Sequence, residues 1–176
     1  MSLFTHDNVL VLWQDVVKQA ENHCLIELDP NLETYLISLL MRYTTKPEMT
    51  QQIFATAFLE ALQLQENQRK ICLQKIGDEC LLFAGLFPHA IEKRHVNIAY
   101  FVDIGRSAYL TVSNTAHDLY WSLALRFVVL MDVLQSIRQH TDLLPLEAYE
   151  QWNEVGSQRA FRILQSYSRG VPFSKR

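Results

Sequence analysis

An all-α single domain is the fold class this sequence predicts, and three observations carry it. Apolar residues recur at helical spacing through most of the 176 residues. No run shows sustained period-two alternation bounded by hairpin turns, so no sheet is expected. Only 5 Gly and 5 Pro interrupt the chain, which calls for long regular elements. About seven or eight helices joined by short loops are expected, packed as a bundle or orthogonal array around central apolar helices.

Asp7 is placed to cap a first helix whose residues Leu10, Trp13, Val17 and Ala20 share a face, ending near Asn22. Asp29-Pro30 opens the second, with proline at the first helical position where its missing N–H costs nothing. Leu32, Tyr35, Leu36, Leu39, Leu40 and Tyr43 form its apolar stripe. Pro47 is expected to start a third helix buried through Met49, Ile53, Phe54, Ala57, Phe58, Ala61 and Leu62. A polar link from Gln63 to Asn67 leads to Ile71 and Ile76, and then to the segment Gly77-Asp78-Glu79-Cys80-Leu81-Leu82-Phe83-Ala84-Gly85-Leu86-Phe87-Pro88. That segment has almost no polar face, so it needs neighbours all round and marks the centre of the fold. A break is expected at Gly77, with Asp78 capping a new helix that Pro88 ends.

Asn97 is placed to cap the helix carrying Ile98, Phe101, Val102, Ala108, Tyr109 and Val112. A long helix is expected from about Asn114 to His140, apolar nearly all round between Leu119 and Val133. Leu144-Pro145 restarts the chain into one last helix through Tyr149, Trp152, Val155, Phe161, Leu164 and Tyr167, stopped by Gly170 and Pro172.

The three cysteines, Cys24, Cys72 and Cys80, have no CxxC spacing and sit among apolar neighbours, as reduced core thiols do. With an N-terminal stretch that lacks the features of a signal peptide, they lead to an expected cytoplasmic location. The Leu119–Val133 run falls short of the roughly 20 residues a membrane span requires. The formal net charge of −3 is unevenly spread: all 19 acidic residues lie at or before Glu154, whereas the last 22 residues carry five bases and no acid.

No catalytic constellation is complete. Glu92-x-x-His95 has the spacing of a carboxylate-bridged metal site, yet the chain holds no second such pair, so no metal and no cofactor are expected. Cys80 lies too deep in apolar flanks for an activated nucleophile. Gly77, Gly85 and Gly105 match neither a phosphate loop nor a dinucleotide fingerprint, and fit close helix contacts instead. The charged residues inside apolar segments are more informative, because a buried charge is costly unless paired. Asp78, Asp103, Arg106 and Arg126 are expected near the centre, Asp103 with Arg106 as a local pair and Asp78 with Arg126 across the core. They form either a structural network or the polar floor of an apolar ligand pocket lined by Tyr100 and Tyr109. Arg159, Arg162 and Arg169 fall on one side of the last helix, either received by the acidic body or offered as a stripe to a partner.

The Gly77–Pro88 segment, followed by Tyr-Phe-Val-Asp-Ile-Gly-Arg-Ser-Ala-Tyr at Tyr100–Tyr109, resembles a family of uncharacterised bacterial helical proteins. The shared pattern is Gly-Asp, two residues, an apolar run ending Gly-Leu-Phe-Pro, then a tyrosine-rich segment with an inner glycine. The resemblance implies a bacterial cytoplasmic helical protein and supplies no activity or site residue. The leading expectation is therefore a non-catalytic helical protein acting through protein contacts or as a homodimer. A small-ligand binder or enzyme is the alternative, and contact with an acidic partner or nucleic acid through the C-terminal bases is the third, with the acidic body disfavouring nucleic acid.

Overall fold

The computed structural model describes residues 6–45, 53–87, 96–137 and 143–168. Those residues are all-helical, with nine helices and no strand among them. In chain order they are α1 (His6–Cys24), α2 (Pro30–Thr45), α3 (Phe54–Leu62), α4 (Glu66–Leu86), α5 (Ile98–Val112), α6 (Leu119–Leu125), α7 (Phe127–Ile137), α8 (Pro145–Val155) and α9 (Gln158–Ser168).

Local chemistry explains most of the helix ends. Asp29 Oδ1 accepts the Asn31 N–H at 2.9 Å, and Asn97 Oδ1 accepts that of Ala99 at 2.9 Å, so these two expected caps form, whereas Asp7, expected to cap α1, lies inside that helix. α1 runs to Cys24, and Leu25 follows in the left-handed region with φ 57° while the Ile26 N–H closes onto the Glu21 carbonyl. That is a left-handed C-terminal cap carried by a residue other than glycine. α3 starts only at Phe54, because Ile53 before it is extended, so the helix expected from Pro47 does not run through to it; Pro47 itself and the Gly170-Pro172 stop lie outside the described residues. Ile53, expected in the core, is instead the exposed N-cap of α3.

Three further boundaries differ from the sequence expectation. Gly77 does not break α4, which runs unbroken from Glu66 to Leu86, and Asp78 caps nothing. Gly77 is there because the helix passes against Tyr109: a Cβ would sit 2.7 Å from its ring. The expected long helix from Asn114 splits at Arg126 into α6 and α7, bent by 71°. It also starts later, because Asp118 caps α6 by accepting the Trp121 N–H at 2.8 Å. The expected last helix splits at Gly156, whose φ of 72° ends α8, and at Ser157, whose Oγ accepts the Ala160 N–H at 3.0 Å to open α9.

α4 is the central element, buried without interruption from Ile76 to Gly85. Its most extensive contact is with α5, and α7 crosses it next. Glycines set the spacing at both crossings, since a Cβ at Gly77 would meet the Tyr109 ring of α5 at 2.7 Å and one at Gly85 would overlap Leu134 Cβ of α7. Phe54, Phe83 and Phe101 stack in one aromatic group where α3, α4 and α5 meet, with ring centroids 5.5 to 5.8 Å apart. Gly85→Ala sets two effects against each other. Alanine favours a helix interior over glycine by about 1 kcal/mol, while overpacking costs about 1–3 kcal/mol. The overlap falls on a Cβ fixed to the α7 backbone, so no rotamer change relieves it. The variant is expected to be less stable, with a lower urea midpoint; an unchanged or raised midpoint would show that α7 shifts freely.

No single helix among the described residues is long and apolar enough to cross a membrane; α6 and α7 meet the compositional test only as a bent pair.

Candidate functional site

Asp78 is the centre of a buried hydrogen-bond hub. It projects from α4 toward α2 and α5, and is 5 % exposed. Its Oδ1 accepts the Tyr35 hydroxyl at 2.6 Å and the Tyr109 hydroxyl at 2.7 Å. Its Oδ2 accepts Arg42 Nη2 at 3.3 Å, a contact that is also an ion pair. Arg42 in turn lies over the Tyr35 ring, 5.8 Å from its centroid. Burial raises the Asp78 pKa, opposed by the hydrogen bonds from Tyr109 and Tyr35 and by the Arg42 charge. Burial first, and the neighbouring carboxylate second, also raise both tyrosine hydroxyls, which are therefore held as donors.

The expected partner of Asp78 was Arg126, and the structure supplies Arg42 instead. Arg126 is exposed at the α6–α7 bend. Asp103 and Arg106 do share a helix face, but it is the outer face of α5 together with Leu110, because Phe101, Val102, Gly105, Ala108 and Tyr109 take the inner one. The ion pairs among the described residues do not include them. Tyr100 is half-buried and serves α3, its hydroxyl accepting the Ala55 N–H at 2.9 Å where the helix has no side-chain cap of its own. Of the six expected pocket residues, only Asp78 and Tyr109 come together. Tyr35 and Arg42, which complete the hub, were read as an apolar stripe residue and passed over, respectively. Glu79, also buried, is held by Lys75 one turn earlier.

Tyr35 also faces outward, onto a groove of about 1220 Å³ between the N-terminal half of α2 and α6. Leu32, Leu119, Trp121 and Leu125 supply its apolar lining, and Asp29, His117 and Arg126 its ionisable groups. Asp29 is engaged in capping α2. His117 packs on Trp121 with ring centroids 4.7 Å apart and holds a left-handed backbone, φ 76°. Only a few per cent of non-glycine residues adopt that region, and it stores strain at the groove rim. The tight turn is held by Asp118, which accepts from Trp121, Asn114, Thr115 and Ser113. These bonds, the Trp121 N–H foremost, lower its pKa to about 2. A smaller cavity of about 290 Å³ lies between α1 and α2, where Arg42 emerges beside Gln14 and Ser38.

The basic residues of the last helix do not form an exposed stripe. Arg159 is 7 % exposed, donating through Nη1 to Gln135 Oε1 at 2.9 Å. Arg162 reaches the Cys24 carbonyl at the C-terminus of α1, where a cation also meets the negative end of the helix dipole. Arg169, Glu92 and His95 lie outside the described residues. No group of three or more His, Cys, Asp or Glu suited to a metal occurs among the described residues. Burial pushes up the thiol pKa of both Cys80 and Cys24, which keeps them protonated and inert.

These features define an all-α protein with a buried carboxylate hub behind an open groove of mixed apolar and charged character. No family model, curated protein or solved structure matches the chain.

Proposed function

We propose that this protein is a non-catalytic binding module whose α2–α6 groove receives a segment of a partner protein bearing an apolar anchor and an acidic residue. The groove carries this reading. At about 1220 Å³ it exceeds the roughly 300–1,000 Å³ usual for small-molecule sites. Trp121 and Leu125 offer an apolar seat, and Arg126 is the one cation in its lining, with no ion-pair partner among the described residues. Tryptophan and arginine are the residue types that most often dominate binding energy at protein interfaces. Tyr35 forms part of the floor and is locked by Asp78, so that wall is rigid before anything binds. Catalysis is not favoured, because the hub carboxylate is enclosed and its acceptor sites are directed at its own chain.

Panning a phage-displayed random peptide library on the purified protein tests this. Peptides pairing an aromatic or large aliphatic residue with Asp or Glu are expected. By fluorescence polarisation they should bind Trp121→Ala and Arg126→Glu at least about tenfold more weakly, the loss typical of interface anchors. Arg106→Glu, on the outer face of α5, should leave binding unchanged. Peptides that bind all variants equally, or none selected at all, would overturn the reading. A dimer on light scattering that Trp121→Ala dissociates would instead identify the occupant as a second copy of this chain.

A further inference from the structure

We infer that the α8–α9 hairpin is a separately opening unit, docked on the rest of the molecule through a buried polar seam. Two apolar clusters exist among the described residues. The main one runs from α1 to α7, while Leu143, Ala148, Ala160 and Leu164 form a second, with Trp152 and Ile163 packed on it, all in the hairpin or just before it. Of the hairpin's residues only Val155 packs against the main cluster. α8 also packs against α5, whereas the joint on the α9 side is polar. Ser157 Oγ donates to Asp132 Oδ1 at 2.6 Å, and the Arg159 N–H to Oδ2 at 3.4 Å. Arg159 Nη1 donates to Gln135, whose own Nε2 donates to the Ala84 carbonyl of α4 at 3.0 Å. Asp132, Gln135, Ser157 and Arg159 are all buried. Buried Gln151 on α8 keeps an Oε1 with no hydrogen-bond partner among the described residues.

Such a seam opens more readily than an apolar one. Water replaces each of its hydrogen bonds on separation, so the net hold per bond is small, whereas pulling apart an apolar interface exposes surface that water does not compensate. The hairpin also keeps its own apolar cluster when it leaves, since Trp152 stays packed on Phe161, ring centroids 5.2 Å apart. Opening uncovers the Asp132 and Gln135 face of α7 and the C-terminus of α1 at Cys24, now covered by Arg162. The molecule therefore has a second, concealed polar surface, distinct from the α2–α6 groove.

Native-state hydrogen exchange by mass spectrometry on the full chain is the test. Peptides from 145–168 should show protection factors at least about tenfold below those of 76–85 in α4, the signature of a sub-global opening. Ser157→Ala should raise exchange in the hairpin peptides several-fold and leave the α4 peptides unchanged. Equal protection in hairpin and α4, or a Ser157→Ala effect spread uniformly over both, would overturn the inference. The wild-type comparison decides the matter even where the variant folds poorly.

Discussion

Asp78→Ala is expected to lower stability by about 2–4 kcal/mol, the cost of orphaning the Tyr109 and Tyr35 hydroxyls, since the half-exposed Arg42 can turn to water. The deletion leaves three donors facing each other around a void: the Tyr35 and Tyr109 hydroxyls and the Arg42 guanidinium. Tyr109 is fully buried, and an orphaned buried hydroxyl costs about 1–3 kcal/mol by itself. Tyr109→Phe is the informative contrast. It removes a single donor and leaves Asp78 with Tyr35 and Arg42, so it should cost only about 1 kcal/mol. Urea denaturation of both variants measures the difference. A loss below about 1 kcal/mol for Asp78→Ala would mean that water satisfies the hub, and that the carboxylate does not organise the meeting of α2, α4 and α5.

The second large effect is a pH dependence at Asp132. Burial pushes its pKa up to about 6 from 3.8, against the Ser157 and Arg159 hydrogen bonds and the Arg159 charge, which pull it down. The carboxyl group is met by Ser157 and by the Gln158 and Arg159 backbone at the start of α9, with the Arg159 charge and Cys24 of α1 nearby. A carboxyl raised on folding binds more protons in the native than in the unfolded state between those two values. Its contribution to stability is therefore fully present below pH 4 and is lost as pH rises through about 6. The shift corresponds to about 3 kcal/mol. Measured as a difference, the stability of the wild type minus that of Asp132→Asn should fall by that order between pH 4 and pH 7. The subtraction removes the constant offset of the asparagine side chain and the titration of every distant group. A flat difference, or one rising with pH, would show that Arg159 holds the carboxylate ionised across the range. The same rule gives Asp78 the same sign, since its pKa is also raised.

The readable parts of this fold are those governed by neighbours in sequence. Asp29 before Pro30 and Asn97 before Ile98 cap where expected, because a cap needs only an oxygen within two or three residues of a free N–H. The unbroken apolar run after Gly77 marked the buried centre correctly, since no helix face could be left in water. The Gly156-Ser157 pair was an equally local signal, a left-handed stop followed by a cap, and it was absorbed into one long apolar periodicity.

The hub was not readable in the same way. Asp78 finds its partners 31, 36 and 43 residues away, and nothing beside it in sequence separates Arg42 from Arg126 as its counter-charge. Gly77 and Arg126 show the same limit from opposite sides. The glycine that suggested a break lies inside a continuous helix because Tyr109 needs its space. The bend at Arg126 occurs in an apolar run with no glycine or proline to announce it.

By itself, then, the sequence determined that the chain is helical, where α2, α5 and α8 begin, and which segment lies at the centre, because propensity, capping and apolar period act over a few residues. Only the tertiary structure decided which charges are buried, which tyrosines face Asp78, and that Arg126 opens onto a groove while Arg159 closes a seam. Burial and pairing depend on which helix faces cross, and that is settled by close packing between segments far apart in the chain.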